Sequence, residues 1–378
     1  MAQNRPIKPL EGVLVVSLEQ AVAAPMASRR LADAGARVIK LERPEGDFAR
    51  DYDRVAHGQS SYFVWLNRGK ESVRVDMTKP EDRKLFDALL AKADVFIQNL
   101  KPGSLARLGY PFDVLRERFP KLIMCSISGY GETGPNAARK AYDLLIQAEA
   151  GLASITGGPE APGRVGVSIV DVSTGMNAHE AILEALILRG RTGDGCDIRV
   201  SMFDTVAEWM AVPLLHAEAG SPPQRIGLAH PSLAPYGVFE TKDGVPILIS
   251  IQNDREWLAF ARDVLKRPAL VSDDRFATPV ARLTNRTDTD AIVADCFAAL
   301  PAAEMLKLLN SADVAYGQVS DLDALLAHTN LRRISIATPA GDVKLPAPAA
   351  LVQGVTPTFD GVPALGANDA SVRAEFLK

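Results

Sequence analysis

The chain has 378 residues, 47% hydrophobic and 23% charged, with a net charge of −4. That is apolar material for a large core and a length of roughly two domains; the mild acidity excludes nucleic acid as a partner and leaves room for local basic spots that hold a small anion. Three isolated cysteines (Cys125, Cys196, Cys296), five scattered histidines, no apolar signal core in MAQNRPIKPLEG and no apolar run near the roughly 20 residues of a membrane span lead us to expect a cytoplasmic protein, with neither membrane attachment nor a metal site.

The N-terminal half alternates short apolar runs with helical patterns. GVLVVSLE (Gly12–Glu19) reads as a buried parallel strand and APMASRRLADAGA (Ala24–Ala36) as a helix. Strand RVIKLE (Arg37–Glu42), strand SVRVDM (Ser72–Met77) and helix PEDRKLFDALLAKA (Pro80–Ala93) follow. Then come strand DVFIQNL (Asp94–Leu100), helix PFDVLRERFP (Pro111–Pro120) and strand LIMCSISGYG (Leu122–Gly131). This alternation predicts an α/β fold, a Rossmann-like doubly wound parallel sheet. The first turn, EQAVAAPMAS, is not G-x-G-x-x-G, which disfavours an ordinary nicotinamide site.

Two long helices are expected next, one from near Tyr142 and one from near Val172, followed by a strand at Asp197–Ser201. Val212–Pro235 is rich in Pro, Gly and His and reads as a crossing linker. YGVFETKDGVPILISIQND predicts a hairpin around Lys242–Asp243–Gly244. Helical patterns in DREWLAFARDVL, NRTDTDAIVADCFAAL and AAEMLKLLNSA complete a smaller α+β domain. The Pro-rich tail, Leu345–Lys378, is expected to run back over the first domain.

Six stretches occur in one order: PLEGVLVVSLEQAVAAP, LADAGARVIKLERPEGDFAR, ADVFIQNLKPGSLARLG, SISGYGETGP, AYDLLIQAEAG and VSIVDVSTGMNA. The set resembles the family III CoA-transferases, the group of formyl-CoA transferase and carnitine CoA-transferase, over nearly the whole chain. The resemblance implies an interlocked homodimer. It also implies a large Rossmann-like CoA-binding domain (residues 1–205), a linker (206–228), a small domain (229–325) and a C-terminal segment (326–378) returning to the large domain.

Asp171, in VSIVDVSTGMNA, has two readings. As structure, Asp is a favoured helix N-cap, with Val172, Met176, Ile182, Leu183 and Leu186 forming an apolar face behind it. As function, a helix N-terminus keeps a carboxylate ionised, and Ser173, Thr174 and Gly175 are small enough to admit a thioester. In the family the matching Asp is the covalent nucleophile. It forms an aspartyl anhydride and then an aspartyl-CoA thioester, so the acyl activation is kept throughout and no ATP is needed. No tightly bound cofactor is implied, only a coenzyme A thioester as substrate.

The resemblance places Lys140, Tyr142 and Asp143 around the thioester, where Asp143 alone reads as a first-turn helix acid. Related α-methylacyl-CoA racemases carry a His at position 142. A phenol is a poor base at neutral pH, so Tyr142 favours transfer over racemisation. For CoA itself the resemblance points to Val22, Ala23, Arg43, Val75, Arg107, Lys140 and Met202, the cations facing its phosphates. Lys79 and Lys101 read instead as exposed surface bases. RIGLAHPSLAPYGVFET and SIQNDREW resemble members acting on small dicarboxylates such as itaconate, mesaconate or citramalate with succinyl-CoA. Arg225, His230, Gln252 and Arg255 are then candidates for a distal carboxylate. Val22 where formyl-CoA transferase has Gln, and the missing glycine-rich loop, argue against formate or oxalate. The competing readings are a 2-methylacyl-CoA racemase or isomerase and a non-catalytic CoA-binding protein.

Overall fold

The computed structural model describes residues 8–378; Met1–Ile7, part of the stretch read above as lacking a signal core, lies outside them. Two compact units emerge. The first takes the chain up to Leu152, Val165–Val212 and Arg332–Lys378; the second takes Ala153–Arg164 and Pro213–Leu331.

The first unit is built on six parallel strands: β1 (Leu14–Leu18), β2 (Arg37–Glu42), β3 (Lys70–Arg74), β4 (Val95–Gln98), β5 (Ile123–Ser128) and β6 (Asp197–Ser201). They lie in the order β3-β2-β1-β4-β5-β6. The central strands are apolar and buried along their length, as a parallel sheet covered on both faces requires. Alternation along each strand sends neighbours to opposite faces. Val16, Ile39, Val73 and Phe96 pack with Leu85, Phe86 and Leu89 of α3 (Pro80–Leu90). Val15, Val38, Val95 and Ile123 pack with Ala24, Ala27 and Leu31 of α1 (Ala23–Asp33) and with Ile182.

The helices differ in part from the sequence reading. α2 (Ser61–Leu66) was not anticipated; the Ser60 hydroxyl caps it by accepting the Phe63 N–H. Short helices α4 (Ser104–Arg107) and α5 (Phe112–Arg118) follow β4. The helix expected from Tyr142 is only seven residues long, α6 (Asp143–Glu149), and ends before Gly151, whose φ is +81°. A single turn, α7 (Leu152–Ile155), follows. The second long helix starts three residues earlier than expected: α8 (Ile169–Thr192), closed by left-handed Gly193. α9 (Met202–Trp209) was also missed, capped by Ser201. The segment read as a crossing linker opens as helix, α10 (Ala211–Glu218), because Pro213 falls in its first turn, where no N–H is needed.

The second unit contains the expected hairpin, β7 (Tyr236–Glu240) with β8 (Pro246–Ser250), extended antiparallel by β9 (Ala315–Gln318). Helices α11 (Asp254–Ala259), α13 (Arg286–Ala298) and α14 (Ala302–Ser311) supply Trp257, Val293, Phe297 and Met305 to its core, and α12 (Pro279–Thr284) buries Arg282. A peripheral helix, α15 (Leu322–Ala327), precedes the return of the chain. The tail, Arg332–Lys378, belongs to the first unit. It forms a hairpin of β10 (Arg333–Ile336) and β11 (Val343–Pro346), then α16 (Asp369–Phe376). Asp369 receives the Arg74 amide and guanidinium, both at 2.7 Å, and Val372 and Phe376 join the apolar cluster of α3.

A buried polar network joins the end of β1, the middle and end of β2 and the start of β3. Lys70 Nζ donates to Glu19 at 2.6 Å, to Asn67 at 3.0 Å and to the Pro25 carbonyl at 3.2 Å. Lys40 Nζ donates to Asp47 at 2.8 Å, and Arg50 chelates Glu42 at 2.8 and 2.7 Å. Burial alone would raise Glu19, but Lys70 and Lys40 outweigh it and hold the carboxyl below its usual range. Three acids (Glu19, Glu42, Asp47) thus balance three bases (Lys40, Arg50, Lys70).

Candidate active site

In this strand order the chain leaves β1 and β4 toward opposite faces, so a crevice opens between their C-terminal ends. Gln20 and Ala21 follow β1 there, and Asn99 follows β4. Asn99 and Gln20 lock the two ends together: the Gln20 N–H donates to Asn99 Oδ1 at 2.9 Å, and Asn99 Nδ2 donates to the Gln20 carbonyl at 2.8 Å. The crevice is a cavity of about 290 Å³, and Asp171, Tyr142, Lys140, Ala23 and Met202 all reach its wall.

Asp171 sits in the first turn of α8 but is not its cap, which corrects the sequence reading. Ser168 occupies the cap position without a side-chain bond. The capping acceptor is Asp143, from α6: its Oδ1 receives the Val170 N–H at 2.7 Å and the Asp171 N–H at 3.2 Å. Gln147 holds Asp143 from behind, Nε2 to Oδ2 at 2.7 Å. Nor does the helix end keep Asp171 fully ionised at neutral pH. Burial, then the charge of Asp143, push its carboxyl up to about 7.

Ser173, Thr174 and Gly175 are buried and do not line this cavity, unlike the open position expected of them. The two hydroxyls bond back to carbonyls of the first turn, Thr174 to Val170 at 2.7 Å. Gly175 lets α8 lie against α1: a Cβ there would collide with the Ala23 carbonyl oxygen and stand 2.6 Å from Met26 Cβ. Small residues here set the helix crossing that brings Asp171 over the first turn of α1.

The remaining candidates divide by place. Arg43 and Val75 line a second cavity of about 380 Å³ past the ends of β2 and β3, and Leu100 borders both cavities. Val22 is buried with Met26 and Leu66 instead of facing the crevice. Arg107 is exposed on α4, donates to Ser104 Oγ at 2.8 Å and lines neither cavity. Lys101, read as a surface base, is on the crevice wall. Arg225, His230, Gln252 and Arg255 belong to the second unit. Arg225 donates to the carbonyls of Ser154, Gly158 and Pro159, while the His230 ring stacks on Tyr236 at 5.1 Å and accepts the Ser232 N–H. Gln252 bonds Ser250 at 3.1 Å, and Arg255 is exposed on α11.

Sequence reasoning missed Phe48 and Tyr52, which also line the crevice. Phe48 opens and Tyr52 follows a 3-10 turn (Phe48–Asp51) that Asp47 caps by accepting the Ala49 N–H. Burial, then Asp47 and Asp171, push the Tyr52 phenol up to about 12, so it stays a neutral donor beside the carboxylate. The available signal was Asp47 in PEGDFARDY, a turn-capping residue ahead of two aromatics. Among the described residues no group of three His, Cys, Asp or Glu side chains is placed to hold a metal, and no helix is long and apolar enough to cross a membrane.

Comparison with known proteins gives this geometry a context. The model of CoA-transferase family III matches residues 10–369. The chain is 36% identical to an acetyl-CoA:oxalate CoA-transferase of Acetobacter aceti, covering 100% of this chain and 98% of that one. It is 34% identical to the Homo sapiens succinyl-CoA:glutarate CoA-transferase, over 91% of this chain and 80% of that one. A crystal structure of a CAIB/BAIF family protein from Brucella suis superposes with a TM-score of 0.81 at 34% identity, covering 98% and 99% of the two chains. The chain is a family III CoA-transferase.

Proposed function

We propose that Asp171 is the covalent nucleophile of a transfer from succinyl-CoA to a small dicarboxylic acid. The observation that carries this is the half-buried Asp171 carboxyl in the switch-point crevice, raised to about 7 by partial burial and Asp143. A carboxylate that is costly to keep charged is a stronger nucleophile, and acylation relieves both causes of its cost. Asp171 attacks the thioester carbonyl, forming an anhydride and expelling CoA thiolate. The thiolate attacks the aspartyl carbonyl, releasing the donor acid and leaving aspartyl-CoA. The acceptor carboxylate displaces CoA, giving a second anhydride, and the thiolate resolves it to the new acyl-CoA and free Asp171.

Tyr52 and Tyr142 offer hydroxyl donors on the crevice wall, and Lys101 and Lys140 bring positive charge for a phosphate or a distal carboxylate. The second cavity, with Arg43, takes the adenosine end of CoA. A relative named for oxalate at 36% identity restores oxalate, set aside on sequence grounds, to the acceptor panel. Exposed Val212, Leu214 and Leu215 on α10 and Leu351 and Val352 in the tail support burial against a second copy in an interlocked homodimer, testable by light scattering.

The test of the chemistry is trapping. Incubation with succinyl-CoA followed by hydroxylamine should convert Asp171 to its hydroxamate, and Asp171→Ala should abolish both trapping and exchange. Modification at another residue, or turnover without any, would sink the assignment. Deuterium uptake at the α-carbon of a 2-methylacyl-CoA without an acceptor acid would instead support the isomerase reading.

A further inference from the structure

Ala21, on the crevice wall, holds a left-handed backbone with φ +63°, a conformation L residues with a Cβ adopt at a cost. Its N–H donates to Asp47 Oδ1 at 3.1 Å, and the same oxygen takes the Ala49 N–H at 3.0 Å. Asp47 Oδ2 takes Lys40 Nζ at 2.8 Å, and the Asp47 N–H donates to Glu42 at 3.1 Å. The Asp47 side chain is fully buried. One carboxylate therefore fastens the strained first turn and the base of the Phe48–Tyr52 wall to a fixed charge under the sheet. Strain of this kind persists only where surrounding bonds over-determine it.

We propose that Asp47, which touches no reacting atom, is a positioning residue: it sets Ala21 and the Phe48–Tyr52 wall as one rigid surface that orients the acyl carbonyl toward Asp171. The inference rests on the reading of Asp171 as nucleophile. Three donors meet two oxygens at Asp47, so neither Asn nor Ala replaces it. An amide has one oxygen and must release either the amide pair or Lys40; Ala releases all three.

The experiment measures the single-turnover rate of hydroxylamine-trapped succinylation at Asp171, with affinity for free CoA measured in parallel by calorimetry. Relative to the native protein, Asp47→Ala should slow acylation about 100-fold, the cost of a misplacement on the order of 1 Å, and Asp47→Asn about tenfold, with CoA affinity held within about threefold. Glycine adopts a left-handed φ without penalty. Ala21→Gly should therefore recover part of the lost rate in the Asp47→Ala background, a recovery that mere loss of stability would not produce. An Asp47→Asn rate within about twofold of native would overturn the inference, whether or not Asp47→Ala folds. So would an equal loss of CoA affinity and rate, or no recovery by Ala21→Gly. Failure of the native protein to label at Asp171 would instead refute the nucleophile reading.

Discussion

Replacing Asp171 by Asn should stabilise the protein at neutral and alkaline pH, and by an amount that depends on pH in a defined way. The carboxyl moves from an ordinary 3.8 to about 7 on folding. Between those values the folded chain keeps a proton that the unfolded chain has released. Stability therefore falls as pH rises through the window, and the full cost is present above pH 7. A rise of that size makes the cost on the order of 4 kcal/mol. Asn is nearly isosteric and carries no charge, so the variant escapes it. Urea unfolding of both proteins at several pH values isolates the effect, because every other titrating group cancels in the difference. The stability gap should widen by about 3 kcal/mol between pH 5 and pH 8 and then level off. A gap constant across that range would refute the claim that burial and Asp143 destabilise the charged carboxylate.

Other perturbations probe the groups around it. Asp143→Asn keeps an oxygen for the Val170 and Asp171 amides but removes the neighbouring negative charge. The acid limb of the acylation rate against pH should move to lower pH, and an unmoved limb would show that charge is not felt. Gly175→Ala places a methyl against the Ala23 carbonyl and Met26; it should cost about 1–3 kcal/mol of stability in urea unfolding and slow trapping at Asp171. Glu19→Gln leaves the buried Lys70 ammonium without its counter-ion at 2.6 Å. A loss of about 3–5 kcal/mol is expected in the same assay, and a loss below about 1 kcal/mol would show that Asn67 and the Pro25 carbonyl suffice for Lys70.

The parallel sheet was legible because its central strands are largely apolar and its helices carry clear periodicity, as in VFIQ and in PEDRKLFDALL. Short helices were not: SYFVWL and MFDTVAEW begin at serine caps but are too brief for a period to declare itself. Asp171 stood out through the company of six motifs, and its partial burial and the Asp143 charge then raised its carboxyl to about 7, where the helix end alone led us to expect full ionisation. A cap signature fixes a residue near a helix end but does not say which acid bonds the amides; Asp143 lies 28 residues earlier and takes that place. Lys40 and Lys70 illustrate the same limit. Each reads as a polar position in a strand, yet both face a buried network assembled from β1, β2, β3 and the following turns.

The return of the tail has a consequence for synthesis. The Arg74 amide meets Asp369 across 295 residues, and Val372 and Phe376 complete the cluster around Phe86 and Leu89. On a ribosome, β3 and its helix emerge early and wait with that apolar surface uncovered. The second unit, whose chain is complete by Leu331, has all its residues available before the first can close. Cellular chaperones that shield nascent apolar surface should therefore matter more for the first unit of this protein than for the second, and a chain stopped short of residue 369 should be a substrate for proteolysis even though its crevice residues are all present.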